Sequence, residues 1–209
     1  LNATSDSTYA RFRFSSRREL GFTGGAPDGE VEDYVVQFPH EQLHWDFGDL
    51  PDSLFRTSLA LDGARHRMDT TLYLGARIDT EPDGQPSADA LGDDHDGNDD
   101  EDGIGFMTPW LPGQYTTIKA EVAGNGILNA WVDWNHNQEW DTATEHAISN
   151  RPVSPGTNHF SFRVPLTALP DETGVRFRLT SYRAVFPWGA ARDGEVEDYI
   201  VRVSGEEPR

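Results

Sequence analysis

Residues 174–203 read GVRFRLTSYRAVFPWGAARDGEVEDYIVRV, and residues 9–38 read YARFRFSSRRELGFTGGAPDGEVEDYVVQF. The two stretches align without a gap. Arg11 falls on Arg176, Asp28 on Asp193 and Tyr34 on Tyr199, an offset of 165 throughout. A domain-sized period marks a string of domains, not a solenoid of short repeats. In each copy apolar and basic residues alternate at period two, as in Phe12-Arg13-Phe14 and Phe177-Arg178-Leu179, which is strand patterning. Each copy then has a second run, from Glu30 and from Glu195, that starts acidic and ends β-branched. The chain therefore reads as the tail of one unit followed by one whole unit. Residues 1–38 are orphan closing strands, 39–44 a joint, 45–204 the full domain and 205–209 a tail.

The rest of the chain supports an all-β reading. Residues 67–78, 115–122, 127–134 and 159–164 read as further strands, punctuated by Gly, Pro, Asn and Asp. No stretch carries a long helical period. Many short strands joined by turns predict a jelly-roll-like β-sandwich with an extra N-terminal strand pair donated to a neighbour. Six Trp and eleven Phe supply a core, and 209 residues are enough to bury it. The formal net charge of −19 disfavours nucleic acid and anionic membranes and favours cations. No apolar run is long enough to span a bilayer. The chain has no cysteine, so disulfides do not staple it. Starting at Leu1 and without a signal-peptide pattern, it reads as a processed product or a piece of something longer.

Two loops concentrate oxygen ligands. The first holds Asp79, Glu81 and Asp83, then Asp93, Asp94, Asp96, Asn98, Asp100 and Asp102, with Gly97 and Gly103 for bends. So many carboxylates in so few residues repel one another unless a cation neutralises them. Oxygen donors without Cys suit a hard ion, which predicts calcium (Ca2+) over zinc. The competing reading is a solvated acidic loop. The second loop runs Asp133-Trp134-Asn135-His136-Asn137-Gln138-Glu139-Trp140-Asp141, followed by Glu145. Asp133, Asn135 and Asn137 occupy the first, third and fifth positions of an EF-hand-like loop, with Glu139 at the seventh. Asp141 and Glu145 could close the shell. Gln138 stands where such loops carry Gly, and a strand rather than a helix precedes them. An inert turn is the alternative.

The repeated acidic run places Glu195 and Glu197 on one strand face and Val196 and Asp198 on the other. Two readings stay open: an Arg–Glu ladder with Arg176 and Arg178 on a neighbouring strand, or metal ligation by Glu195 or Asp198. The Gly-Glu-Val-Glu-Asp-Tyr signature, the Trp45–Asp52 opening, Leu72–Gly75, the acidic loop at 92–103 and the Trp-Val-Asp-Trp-Asn loop together resemble the GEVED domain. That resemblance spans nearly all of residues 45–203. It implies an extracellular β-domain of large bacterial surface or secreted proteins, and supplies no catalytic residue.

His40-Glu41-Gln42-Leu43-His44 matches the zincin signature, which needs a helix to turn both His toward one metal. Pro39 and Gly48 leave room for barely two turns, and the second copy has Ser204-Gly205-Glu206-Glu207 at the matching place. A zinc metalloprotease through His40, Glu41 and His44 is therefore the third reading, and no enzyme activity is expected. No Gly-x-Ser-x-Gly elbow supports a serine hydrolase. Asn2 opens a glycosylation sequon. Trp110, Trp131, Trp134, Trp140 and Trp188 could form a sugar platform, though core positions or loop linings are the plainer expectation.

The first reading is an extracellular or cell-surface bacterial structural subunit. It is a calcium-stabilised β-domain that joins copies of itself head to tail by strand donation, into a fibre or adhesive array. Tyr9, Phe12, Phe14, Phe22 and Tyr34 would form the assembly face. Docking of residues 1–38 back on their own chain is the alternative to a neighbour. The second reading is a calcium-dependent carbohydrate-binding module, with polysaccharide as partner. Neither nucleic acid nor membrane insertion is expected.

Overall fold

The computed structural model describes residues 7–37, 44–92 and 101–205. The chain divides into two units, Leu1–Leu43 and His44–Arg209.

The smaller unit is one antiparallel hairpin, β1 (Ser7–Phe14) paired with β2 (Glu30–Gln37). Its loop is held by arginine. Arg13 donates to the carbonyls of Gly21, Thr23 and Gly24 at 2.7, 3.0 and 2.6 Å. Arg11 grips Asp33 with two bonds, Nε to Oδ1 at 2.6 Å and Nη2 to Oδ2 at 2.7 Å. Gly29 closes the turn at φ 91°, where an added Cβ would lie 1.7 Å from the Phe14 carbonyl oxygen.

The larger unit is nearly all strand. Its elements are β3 (Trp45–Phe47), a short helix α1 (Asp52–Phe55), a 3-10 turn (Leu59–Leu61), β4 (Arg65–Arg67), β5 (Tyr73–Leu74) and β6 (Ile104–Phe106). They continue with β7 (Tyr115–Ala123), β8 (Gly126–Val132), β9 (His146–Val153), β10 (Gly156–Arg163), β11 (Asp171–Thr180), β12 (Ala190–Ala191) and β13 (Glu195–Val203). One four-stranded sheet has the order β10-β7-β5, with β6 also on β7; the other runs β13-β11-β8-β9. Their facing residues make one apolar core, a β-sandwich. Strand β7 shows how the period-two pattern builds it. Thr116, Ile118, Ala120 and Val122 point inward and are buried, while Tyr115, Thr117, Lys119 and Glu121 are more exposed.

Two sequence expectations are corrected here. Residues 67–78 are not one strand. Asp69 Oδ1 accepts from the Thr71 amide and hydroxyl, which folds a turn between β4 and β5, and Gly75 turns the chain again at φ 64°. Strand β9 was not foreseen. Its burial does not alternate cleanly, it contains Pro152, and its pairing with β8 is irregular between Leu128 and Trp131.

Strand β11 is buried on both faces from Thr173 onward. Val175, Phe177 and Leu179 enter the core, while Arg176 and Arg178 point the other way, under a third sheet of order β12-β4-β3. Beneath that cover Arg176 and Asp198 are both fully buried. Arg176 Nε bonds Asp198 Oδ1 at 2.8 Å and Nη2 bonds Oδ2 at 2.7 Å. Its remaining donors reach the carbonyls of Phe55, Arg56 and Pro187 and the Thr57 hydroxyl. Asp198 Oδ2 also accepts from the Asp49 and Leu50 amides at 2.9 and 3.0 Å. Both ions are thus neutralised and saturated, the condition for burying charge. Gly48 is required at this contact, since a Cβ there would fall 2.3 Å from Asp198 Oδ2.

Arg176→Leu should strand a buried carboxylate and cost about 3–5 kcal/mol in denaturant unfolding. Arg11→Leu removes the corresponding pair in the smaller unit, where both partners are half exposed. It should leave the melt of the larger unit unchanged.

Candidate functional site

The acidic signature at the start of β13 sends a bond into a different segment from nearly every residue. Gly194 has φ 87°, and a Cβ there would lie 1.8 Å from the Leu179 carbonyl oxygen. The Glu195 carboxylate accepts from the Leu74 amide. The Val196 amide donates to Asp46 Oδ2 at 2.7 Å. Glu197 Oε1 accepts from the Gly103 amide at 2.8 Å. Asp198 holds Arg176 and the Asp49 and Leu50 amides. The Tyr199 hydroxyl sits 3.3 Å from the Ile104 amide and donates to Glu197 at 3.2 Å. Burial, then the Glu197 charge, pushes the Tyr199 hydroxyl well above its usual range. The alternation of the strand divides these duties: Glu195 and Glu197 bind the facing sheet, and Asp198 binds the outer cover.

Of the two readings left open for this run, the Arg–Glu ladder is corrected to an Arg–Asp pair. The register sets Arg176 opposite Asp198 and Phe177 opposite Glu197, so the glutamates face away from both arginines. Arg178 finds a different partner that the sequence did not suggest. Its Nε donates to His66 Nε2 at 2.8 Å, and its other donors reach carbonyls of Arg65, Phe186, Trp188 and Gly189. His66 is fully buried, and its Nδ1 lies 2.7 Å from the Asp193 carbonyl oxygen. With Nε2 accepting, Nδ1 must carry the proton and the ring is neutral. Burial first, then Arg178, holds its pKa well below the ordinary histidine value.

The second loop does adopt a ligand-presenting turn. His136 and Gln138 take φ 57° and 63°, so Gln138 makes the left-handed bend that Gly usually makes. Asp133 accepts from the Asn137 amide at 3.1 Å and the Gln138 amide at 2.9 Å; Asn135 and Asn137 accept from Asn137 and Glu139 amides. Glu145 lies beneath this turn, 1 % exposed. Its Oε2 accepts from the Asp141 amide at 2.8 Å, while Oε1 is buried without a hydrogen-bond partner. Burial first, and then the Asp133 and Asp141 charges, raises Glu145 to about 7. Two buried carboxylates with two carboxamides form a donor set that suits a hard cation. Glu139 and Asp141 are exposed, and Asp141 Oδ1 accepts from the Ala143 amide. Among the described residues no three His, Asp or Glu side chains gather as a metal group.

The first loop is only partly described. Asp93, Asp94, Asp96, Asn98 and Asp100 lie outside the described residues. Glu81 accepts from the Phe47 amide, Asp83 from the Leu59 and Gly84 amides, and Asp102 from the Ala76 amide. These three carboxylates bind backbone in separate segments. Asp79 is half-buried.

His40, Glu41 and Asn2 also lie outside the described residues, and His44 is exposed. Trp110, Trp131, Trp134 and Trp140 are buried, as the core reading expects. Trp140 joins the second loop to the hairpin cover: its indole nitrogen donates to the Phe55 carbonyl, the same oxygen that Arg176 uses. On the smaller unit Tyr9, Phe12, Phe14, Phe22 and Tyr34 are all exposed.

The geometry of strands β8 to β13 is thus organised around one signature. Residues 127–202 match the GEVED domain family. The match covers the hairpin that carries the GEVED signature together with the second acidic loop. No curated protein and no solved structure matches the chain.

The buried His66 predicts acid lability. Its folded pKa lies below the unfolded value of about 6.5, so only the unfolded chain takes up the proton as pH falls below that point. Stability present above about pH 6.5 is lost below it, by up to about 1.4 kcal/mol per pH unit. The neighbouring Arg178 and Arg176 charges add to the cost of protonating the ring. His66→Gln, which can still accept from Arg178, should unfold with a shallower pH slope than the native chain. Parallel slopes would remove His66 from the linkage.

Proposed function

We propose that this chain is a calcium-stabilised structural module of an extracellular bacterial protein, one of an array of like modules. The observation that carries this reading is the use made of the GEVED signature. Its carboxylates hold backbone amides and a buried guanidinium, an architectural duty. The duplicated hairpin supports the array, and the family resemblance supports the extracellular setting. No residue is assigned a catalytic role. No described helix is long and apolar enough to cross a membrane.

Calcium would be held by Asp133, Asn135, Asn137 and Glu145. It would supply the positive charge that the buried Glu145 carboxylate lacks. Through Trp140 and the Phe55 carbonyl, the loop it orders supports the Arg176–Asp198 pair. A second reading, a carbohydrate-binding module, has support in the exposed Phe186 ring, which stacks on Trp188 at 5.7 Å beside Trp131 and His146.

Calcium at a hundred times its dissociation constant should add about 2.7 kcal/mol, seen as a raised melting temperature that EDTA reverses. Glu145→Gln should weaken that response. A melt indifferent to EDTA, with no metal by elemental analysis, overturns the calcium part of the proposal. Soluble polysaccharides that quench tryptophan fluorescence, with the effect lost in Phe186→Ala, would favour the second reading.

A further inference from the structure

The two hairpins agree in more than sequence. Pairing runs from Ser7 with Gln37 to Phe14 with Glu30 in one, and from Glu172 with Arg202 to Leu179 with Glu195 in the other, each pair shifted by the same offset. Arg13 holds carbonyls of Gly21, Thr23 and Gly24; Arg178 holds those of Phe186, Trp188 and Gly189 at the matching positions. Asp28 accepts from Ser16 amide and hydroxyl, as Asp193 does from Ser181. Phe12 meets Tyr34 edge-on at 5.8 Å, and Phe177 meets Tyr199 edge-on at 5.9 Å. The first hairpin thus has the internal architecture of the second.

The surroundings differ. Phe177 and Leu179 are 0 % exposed, whereas Phe12 and Phe14 are 62 % and 75 % exposed. Asp198 accepts two amides from residues 49 and 50, and Arg178 has His66. Among the described residues of its own unit no such amide meets Asp33, and no imidazole meets Arg13. The second hairpin shows what covers these faces. On one side lie the amides of residues 49–50, the Asp46 carboxylate and the His66 ring; on the other lie the Leu74 and Gly103 amides and the apolar core.

We infer that residues 7–37 are a docking element whose partner is the body of another GEVED module that lacks its own closing hairpin. An intact copy of this chain does not qualify, because β11 and β13 already fill its slot. The first hairpin carries each group the slot recognises: Arg11, Arg13, Glu30, Glu32, Asp33 and Tyr34. Its inward residues are also of the right kind, with Ala10 for Val175 and Phe14 for Leu179. This inference rests on the reading of the chain as one of an array of modules.

The test is a transplant within the full chain, residues 10–37 replacing residues 175–202, which keeps the buried Gly174 and the core Val203 in place. The slot should accept the transplant, giving a cooperative melt lowered by about 10 °C for the two mismatched core residues. The Asp49 and Leu50 amides should stay protected from hydrogen exchange. Asp33→Ala within the transplant should remove that protection. A second transplant with Ala10→Val and Phe14→Leu removes the packing mismatch. If neither transplant melts cooperatively, or if protection survives Asp33→Ala, the inference is overturned. A synthetic peptide of residues 7–37 should not bind the intact chain; binding would overturn the requirement for an open slot. The calcium response of the native melt is read separately, so failure of the module reading and failure of the docking inference are distinguishable.

Discussion

The larger unit depends on one buried ion pair, Arg176 with Asp198. Removing two charges from water costs several kcal/mol each unless every donor and acceptor is met. Meeting them fixes the positions of residues 48–57, residue 187 and two neighbouring strands at once. The segment 48–57 has little regular structure, and its Asp49 and Leu50 amides and Phe55 carbonyl serve the pair instead of a strand ladder. The charge is thus solvated by backbone. In return the backbone is held in a path that a four-residue helix and a 3-10 turn could not hold alone.

The GEVED signature extends this logic to both sheet faces. Glutamates at alternate positions reach across the core to Leu74 and Gly103, close to the edge where short strands β5 and β6 meet β7. Such short strands make few ladder bonds of their own. Carboxylates anchored on the long β11–β13 hairpin supply the bonds they lack. The acidity of the chain is therefore partly internal: buried Asp46, Asp198, Glu195 and Glu197 act as acceptors for amides that no strand pairs.

Much of this was legible in the sequence and some was not. The duplicated stretch revealed the pair of closing strands and its separate first copy, because period-two patterning and an ungapped offset survive without any structure. Alternation in residues 115–122 gave β7 to within a residue. Strand β9 was hidden because Pro152 and an irregular pairing blur its pattern, and residues 67–78 were misjudged because the Asp69 turn is a single side-chain bond. At the site, the Asp133–Asn137 spacing pointed to the turn that forms. The depth of Glu145 comes from tertiary packing, and the partnership of Arg178 with His66 spans 112 residues of chain; no local pattern encodes either. The glutamates looked like partners for arginine because both types alternate; only the register shows that they face apart.

The bonds between Asp198 and the amides of residues 49 and 50 span separations of 149 and 148 residues. A ribosome therefore releases one partner near the start of the unit and the other near its end. Until β11 emerges the Phe55 carbonyl has no guanidinium to meet, and until β13 follows the Asp49 and Leu50 amides have no Asp198 carboxylate. Closing so long a loop is entropically costly and places the step late in folding. The β7–β10 sheet has no such wait, and its pairings lie within a short stretch of chain. Synthesis thus builds the unit from the middle outward, and its first residues are among the last to be locked in place.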